Sequence, residues 1–418
     1  METTLTCLLR AQAVPMDVLH QQYGKLLELV RKLIGVVPNC DPYMEIWPTS
    51  FRTYNVIVPN FLNLPFVLWG AGVPADVIGL AMYVASRNAG CAYCSAHTTA
   101  FALRRGADPD KIARALKGED AGYTPRERVA MKVAQGLARV PVEISDLDRA
   151  ELRKHFPPEQ VEWIVLSVAM MGFLNKFMDA VGVELEAETV GEVGALIGPS
   201  GWSTGKHGTA ATAAVMNTGK TDRPRADTFL DKLSVVPLIP SALAKDRQWT
   251  SGVPDHWPAI GKYLNEHTGT DFRILAKLSH DRAIRAIGVI LRDNLDAGTS
   301  VIGLALKAQV GLVYATVVGN RNLAAEMRTL AQKHDVPADR IEAVVKYAGS
   351  RMRPCPATNP KERAILNLAR GASPSPAIVD DATIEECRAS DLSAPSVVET
   401  VTWISVLQLL HRVIGFYG

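Results

Sequence analysis

An all-α protein built from two tandem helical-bundle domains is what this 418-residue sequence predicts. Three observations carry the expectation. Every long apolar pattern recurs at helical spacing, and none alternates as a half-buried strand would. Cap and stop signals fall at the ends of those patterns. The second half also echoes the first across an interval rich in Gly, Ser, Thr and Ala, so the two copies are expected to pack about a pseudo-twofold axis.

In chain order, residues 16–35 place Leu19, Leu26, Leu27, Val30, Leu33 and Ile34 on one helical stripe. Residues 36–53 hold Pro38, Pro42 and Pro48 and read as a connector with at most a helical turn. Pro59 and Pro65 divide the apolar stretch 51–70 into two short helices. Pro74 then opens a helix that ends at Asn88-Ala89-Gly90. The next helix starts at the cysteines and closes in Arg104-Arg105-Gly106. Asp108-Pro109 is an N-cap followed by Pro at the first helical position, and Thr124-Pro125-Arg126-Glu127 adds a capping box. A further helix spans 145–155, and Pro157-Pro158 starts a long one to about Val181. The division expected is therefore a first repeat over 1–182, a linker or long loop over 183–226, and a second repeat over 227–418.

The echo rests on particular residues. Gly90-Cys91-Ala92-Tyr93-Cys94 pairs with Gly311-Leu312-Val313-Tyr314-Ala315, and Pro125-Arg126-Glu127-Arg128 pairs with Pro360-Lys361-Glu362-Arg363. The final helices correspond as 161–182 and 397–417. In this register Leu312, Ala315 and Val318 replace the two cysteines and the histidine, so only the first copy keeps the chemistry.

Composition narrows the function. Hydrophobic residues make up 48% and charged ones 21%, and the formal net charge is +2. No basic stripe with interleaved aromatics is present, which argues against a nucleic-acid partner. Six cysteines in a chain of this length make no disulfide framework, and a reducing, cytoplasmic setting fits them best. The residues 1–14 lack the basic start of a signal peptide. The apolar run 163–174 is too short to span a bilayer, so no membrane role is expected.

The chemistry sits at Cys91-Ala92-Tyr93-Cys94-Ser95-Ala96-His97. A thiol at a helix N-terminus meets unpaired N–H groups and the positive end of the dipole, which favours its thiolate. Cys91 and Cys94 are three residues apart and share a helical face, close enough for a redox-active disulfide. His97 lies roughly 60° around the helix from Cys94 and 120° from Cys91, so it can serve as base to Cys94 alone. Two other readings stand beside this one: buried structural thiols, and a metal site in which Cys91, Cys94 and His97 need a fourth ligand from elsewhere. No cofactor is expected otherwise. Cys7, Cys40, Cys355 and Cys387 are scattered, with no neighbouring thiol or base. Gly201 to Lys206 fails the phosphate-loop spacing.

These residues resemble the carboxymuconolactone decarboxylase and alkylhydroperoxidase D-like superfamily. The likeness runs through Val58-Pro59-Asn60-Phe61, Asn88 to Cys94, Leu103-Arg104-Arg105-Gly106 and Asn175 to Gly182. It covers about 50–185 and, more faintly, 255–418. The resemblance implies an all-helical fold, homo-oligomers, and thiol-dependent reduction of a small-molecule peroxide, with a reducing protein as further partner. It also implies that Cys94 attacks peroxide and Cys91 resolves it, whereas dipole reasoning makes Cys91 the more acidic thiol; the order stays open. The chain departs from the family twice. Thr98 stands where the family's His belongs, and Gly79 stands at the place of its relay Glu, twelve residues before the first Cys. The alternatives are a decarboxylase-like lyase or isomerase acting on a small organic acid, a specialised biosynthetic enzyme, and a structural or assembly protein.

Overall fold

The computed structural model describes residues 3–116, 122–219, 222–350 and 352–418, and these contain helices and connections but no strand. The predicted caps form. Thr124 Oγ1 accepts the N–H of Glu127 at 3.2 Å while Glu127 Oε2 accepts the N–H of Thr124 at 2.7 Å. Asp108 caps Pro109–Arg114 in the same spirit, accepting from Asp110 N at 2.9 Å. The helix placed after Pro48 is longer than the proline pattern suggested, running Pro48–Phe61 with Pro59 inside it. Pro59 lies near the C-terminal end, where its ring disrupts little of the helix.

Two 24-residue helices, Pro158–Val181 and Ala394–Tyr417, form the centre. By length and composition each is apolar enough to cross a membrane, yet both are enclosed by other helices. They are apolar all round because they are core on every side. Their crossing is tight at Gly172, where a Cβ would stand 2.9 Å from Gln408 O and 3.0 Å from Arg412 Cδ. Arg412 reaches back to donate to Val168 O at 2.8 Å.

Helices Pro48–Phe61, Ala75–Asn88, Ala92–Arg104, Pro109–Arg114, Pro125–Ala138, Asp146–His155 and Pro158–Val181 run toward the centre in order. A second series follows in the same order: Asp281–Asn294, Leu304–Val317, Arg321–Lys333, Ala338–Ala348, Pro360–Ala372, Asp381–Ala389 and Ala394–Tyr417. The register read from sequence around the cysteines needs correction. Gly311 to Ala315 lies in the middle of Leu304–Val317 and not at a helix start. At the start of the helix that stands third in each series, Asn320 caps Arg321–Lys333 by accepting from Leu323 N at 3.0 Å, as Cys91 caps Ala92–Arg104. A shared Gly and Tyr misled the pairing; capping sets where a helix starts, and an N-cap needs only an acceptor.

Within the interval 183–226, read as a linker or long loop, Ala187–Ile197 is a helix with Val190, Val193 and Ile197 in the core, packed on the cysteine helix. Trp202, 5% exposed, donates through Nε1 to Ala92 O at 3.1 Å.

Candidate active site

Gly90 ends the preceding helix at φ +75°, a conformation that favours glycine, and its Cα faces Pro376, only 2.9 Å from where a Cβ would be. The turn leaves Cys91 as N-cap of the cysteine helix, Ala92–Arg104. Its sulfur takes the role of a capping oxygen, accepting the N–H of Cys94 at 3.3 Å. Both thiols are free and buried. Burial, and then the neighbouring Cys91, push the Cys94 thiol well above its ordinary range, so it stays protonated at neutral pH unless a base helps.

Cys94 and His97 line one cavity of about 100 Å³, together with Cys40, Tyr54, Tyr93 and Thr98 and with methionines from the central helix Pro158–Val181. Cys91 lies behind Cys94 and off this wall. His97 is not hydrogen-bonded to Cys94. Its Nε2 meets Glu186 Oε2 at 2.8 Å, and its Nδ1 is buried with no partner among the described residues. A carboxylate on Nε2 holds the proton there and leaves Nδ1 basic, the tautomer a general base on the other side requires. Glu186 also accepts the Asn39 N–H at 2.6 Å and the Tyr93 O–H at 2.8 Å. Burial pulls the Glu186 carboxyl upward, but His97 and the Asn39 N–H outweigh it and keep the pKa below the usual range.

Glu186 is the residue that sequence reasoning missed. It lies in the segment taken for a linker, 89 positions from His97, and only the folded chain brings the two together. The structure also explains why the acid cannot come from position 79. A Cβ on Gly79 would stand 2.7 Å from Ala102 Cβ and 2.9 Å from its Cα, so a Glu side chain has no room between these helices. Thr98, at the family's His position, gives its hydroxyl to Cys94 O at 2.7 Å. Tyr93 orients Glu186 through its hydroxyl.

Cys40 is a second correction, since it shares the cavity wall with Cys94 and is not remote from other thiols. Burial, and then Asp41, push its thiol well above the ordinary range, and its sulfur lies 3.7 Å from Asp41 Oδ1. Asp41 is itself pushed up to about 8 by burial. Beneath Cys91 the central helices supply two buried cations. Lys176 is lowered to about 7 by burial and donates to Ser373 O at 2.9 Å and Ser375 Oγ at 3.0 Å. Arg412 is lowered to about 10 by burial, while its attraction to Cys94 and Cys91 acts the other way. A thiolate in the pair is thus met by positive charge. Among the described residues no three His, Cys, Asp or Glu side chains stand grouped as a metal requires.

No curated protein matches the chain. Among solved structures it is similar to the debrominase Bmp8 in its apo form, at 18% identity and a TM-score of 0.39, covering 50% of this chain and 97% of that one. A cysteine-to-alanine variant of the same debrominase in complex with 2,3,4-tribromopyrrole gives 17% identity and a TM-score of 0.40, covering 52% of this chain and 100% of that one. Residues 61–136, which include Cys91, Cys94 and His97, match the carboxymuconolactone decarboxylase family.

Proposed function

We propose that the protein is a thiol-dependent oxidoreductase in which Cys94 is the attacking thiol and Cys91 its resolver. The observation that carries this reading is the shared cavity: Cys94 and His97 line it, Cys91 stands directly behind, and Glu186 holds His97 with Nδ1 free. His97 takes the Cys94 proton as the thiolate attacks the terminal oxygen of a hydroperoxide. The O–O bond breaks, the alcohol leaves with a proton, and Cys94 becomes a sulfenic acid. Cys91 then displaces water to give the Cys91–Cys94 disulfide, and an external dithiol, a reducing protein by its chemistry, returns two electrons. The largely apolar cavity wall suits an organic peroxide. The second series of helices fits a copy of the first that has kept the packing and lost the thiols, which the cytoplasm would keep reduced in the first.

The test is a thiol titration with mass mapping before and after peroxide. Loss of two thiols per chain as a Cys91–Cys94 disulfide, absent in Cys91→Ser and Cys94→Ser, supports the reading. Unchanged thiols under organic and inorganic peroxides would sink it.

A further inference from the structure

We propose that the cavity at Cys94 is one chamber of a larger ligand site whose second chamber takes an unbranched alkyl chain, the two being divided by Tyr54 and Val58. This rests on the reading of Cys94 as the reacting thiol. A second cavity, of about 70 Å³, lies between Met16–Ile34, Pro48–Phe61 and Ile239–Thr250, and Tyr54 and Val58 line both. Tyr54 has no hydrogen bond among the described residues, although it lies close enough to Cys40, Asp41 and Cys94 to feel their charge. No hydrogen bond fixes the hydroxyl that stands between the two chambers.

The wall of the second chamber selects the ligand class. Leu29, Val30 and Leu33 face Ala242, Leu243 and Trp249 across it. Its polar groups are already engaged: Asn55 donates to Phe51 O at 2.9 Å, Asp246 accepts from Asn60 at 2.8 Å, and Arg282 donates to Asn60 Oδ1 at 3.1 Å. The rest of the wall is apolar, so the chamber fits a hydrocarbon tail. Size sets its shape. Chambers of about 70 and 100 Å³ are each smaller than the roughly 150 Å³ apolar cavity that holds benzene. A ligand filling both is narrow and bends past Tyr54.

The experiment titrates the full chain with 1-octanol by calorimetry and measures iodoacetamide alkylation of Cys94 with and without it. Saturable binding is expected, with alkylation of Cys94 slowed about tenfold in the complex. Ala242→Phe should weaken binding about tenfold, the loss expected when two methylenes lose their contact. Leu29→Phe, on the opposite wall, repeats the test should the first variant fold poorly, and the wild-type shielding measurement needs no variant. Absence of saturable binding, binding untouched by both substitutions, or binding that leaves Cys94 alkylation unchanged would each overturn the proposal. If the chain binds and shields Cys94 but no peroxide forms the disulfide, the ligand site stands and the redox reading falls.

Discussion

Replacing Glu186 by Gln changes one atom and should disable His97. The Asn39 N–H can only donate, so it must keep facing an oxygen, and it meets Glu186 Oε1 at 2.6 Å. In Glu186→Gln the carbonyl therefore stays on the Asn39 and Tyr93 side, and the new NH₂ is turned to His97 Nε2, now 2.8 Å from a carboxylate oxygen. Two donors cannot face each other, so Nε2 must become the acceptor and Nδ1 must carry the proton. A histidine with that tautomer cannot take a proton from Cys94. A positioned general base contributes roughly 10²–10⁴ in rate, so the loss should be at least about a hundredfold, or about 2.7 kcal/mol. The assay is the mass-resolved alkylation rate of Cys94 in the wild type and in Glu186→Gln. The defect should be largest near pH 7 and shrink at high pH, where the raised Cys94 thiol ionises without help. Equal rates near pH 7 would refute the tautomer argument, because nothing else about the site's shape has been altered.

His97→Ala should reproduce the Glu186→Gln defect at Cys94 and leave Cys91 alkylation nearly untouched; combining the two substitutions should add little, since they remove one function, and additive losses would contradict the dyad. Asp41→Asn should show its effect through pH. Asp41 is raised from 3.8 to about 8 by burial, so the folded chain holds a proton that the unfolded chain releases. The associated stability is present at acid pH and is lost progressively between about 4 and about 8. Urea midpoints of Asp41→Asn relative to wild type should therefore improve from pH 5 to pH 8, and a constant difference would contradict the shift. Gly172→Ala adds a methyl 2.9 Å from Gln408 O, and overpacking of about 1–3 kcal/mol should outweigh the roughly 1 kcal/mol gained in helix propensity. A raised urea midpoint would show that the central crossing can relax.

Sequence alone determined the helices and the location of the chemistry. Cap boxes, prolines at first helical positions and the 3.6-residue period are local rules, and local rules are legible in order along a chain. Cys91, Cys94 and His97 were legible for the same reason, since their spacing fixes them on one helix start. Tertiary structure decided everything that depends on which surfaces meet. It placed Glu186 against His97 across 89 positions, drew Cys40 into the cavity of Cys94, and set Lys176 and Arg412 beneath Cys91. It also turned a Gly- and Ser-rich interval into a packed element, because small residues signal either a loose chain or a close approach. Composition cannot distinguish the two. Gly79 shows the limit most directly: the relay acid is absent there because Ala102 fills the space, and its substitute arises from a segment whose partner no periodicity announces.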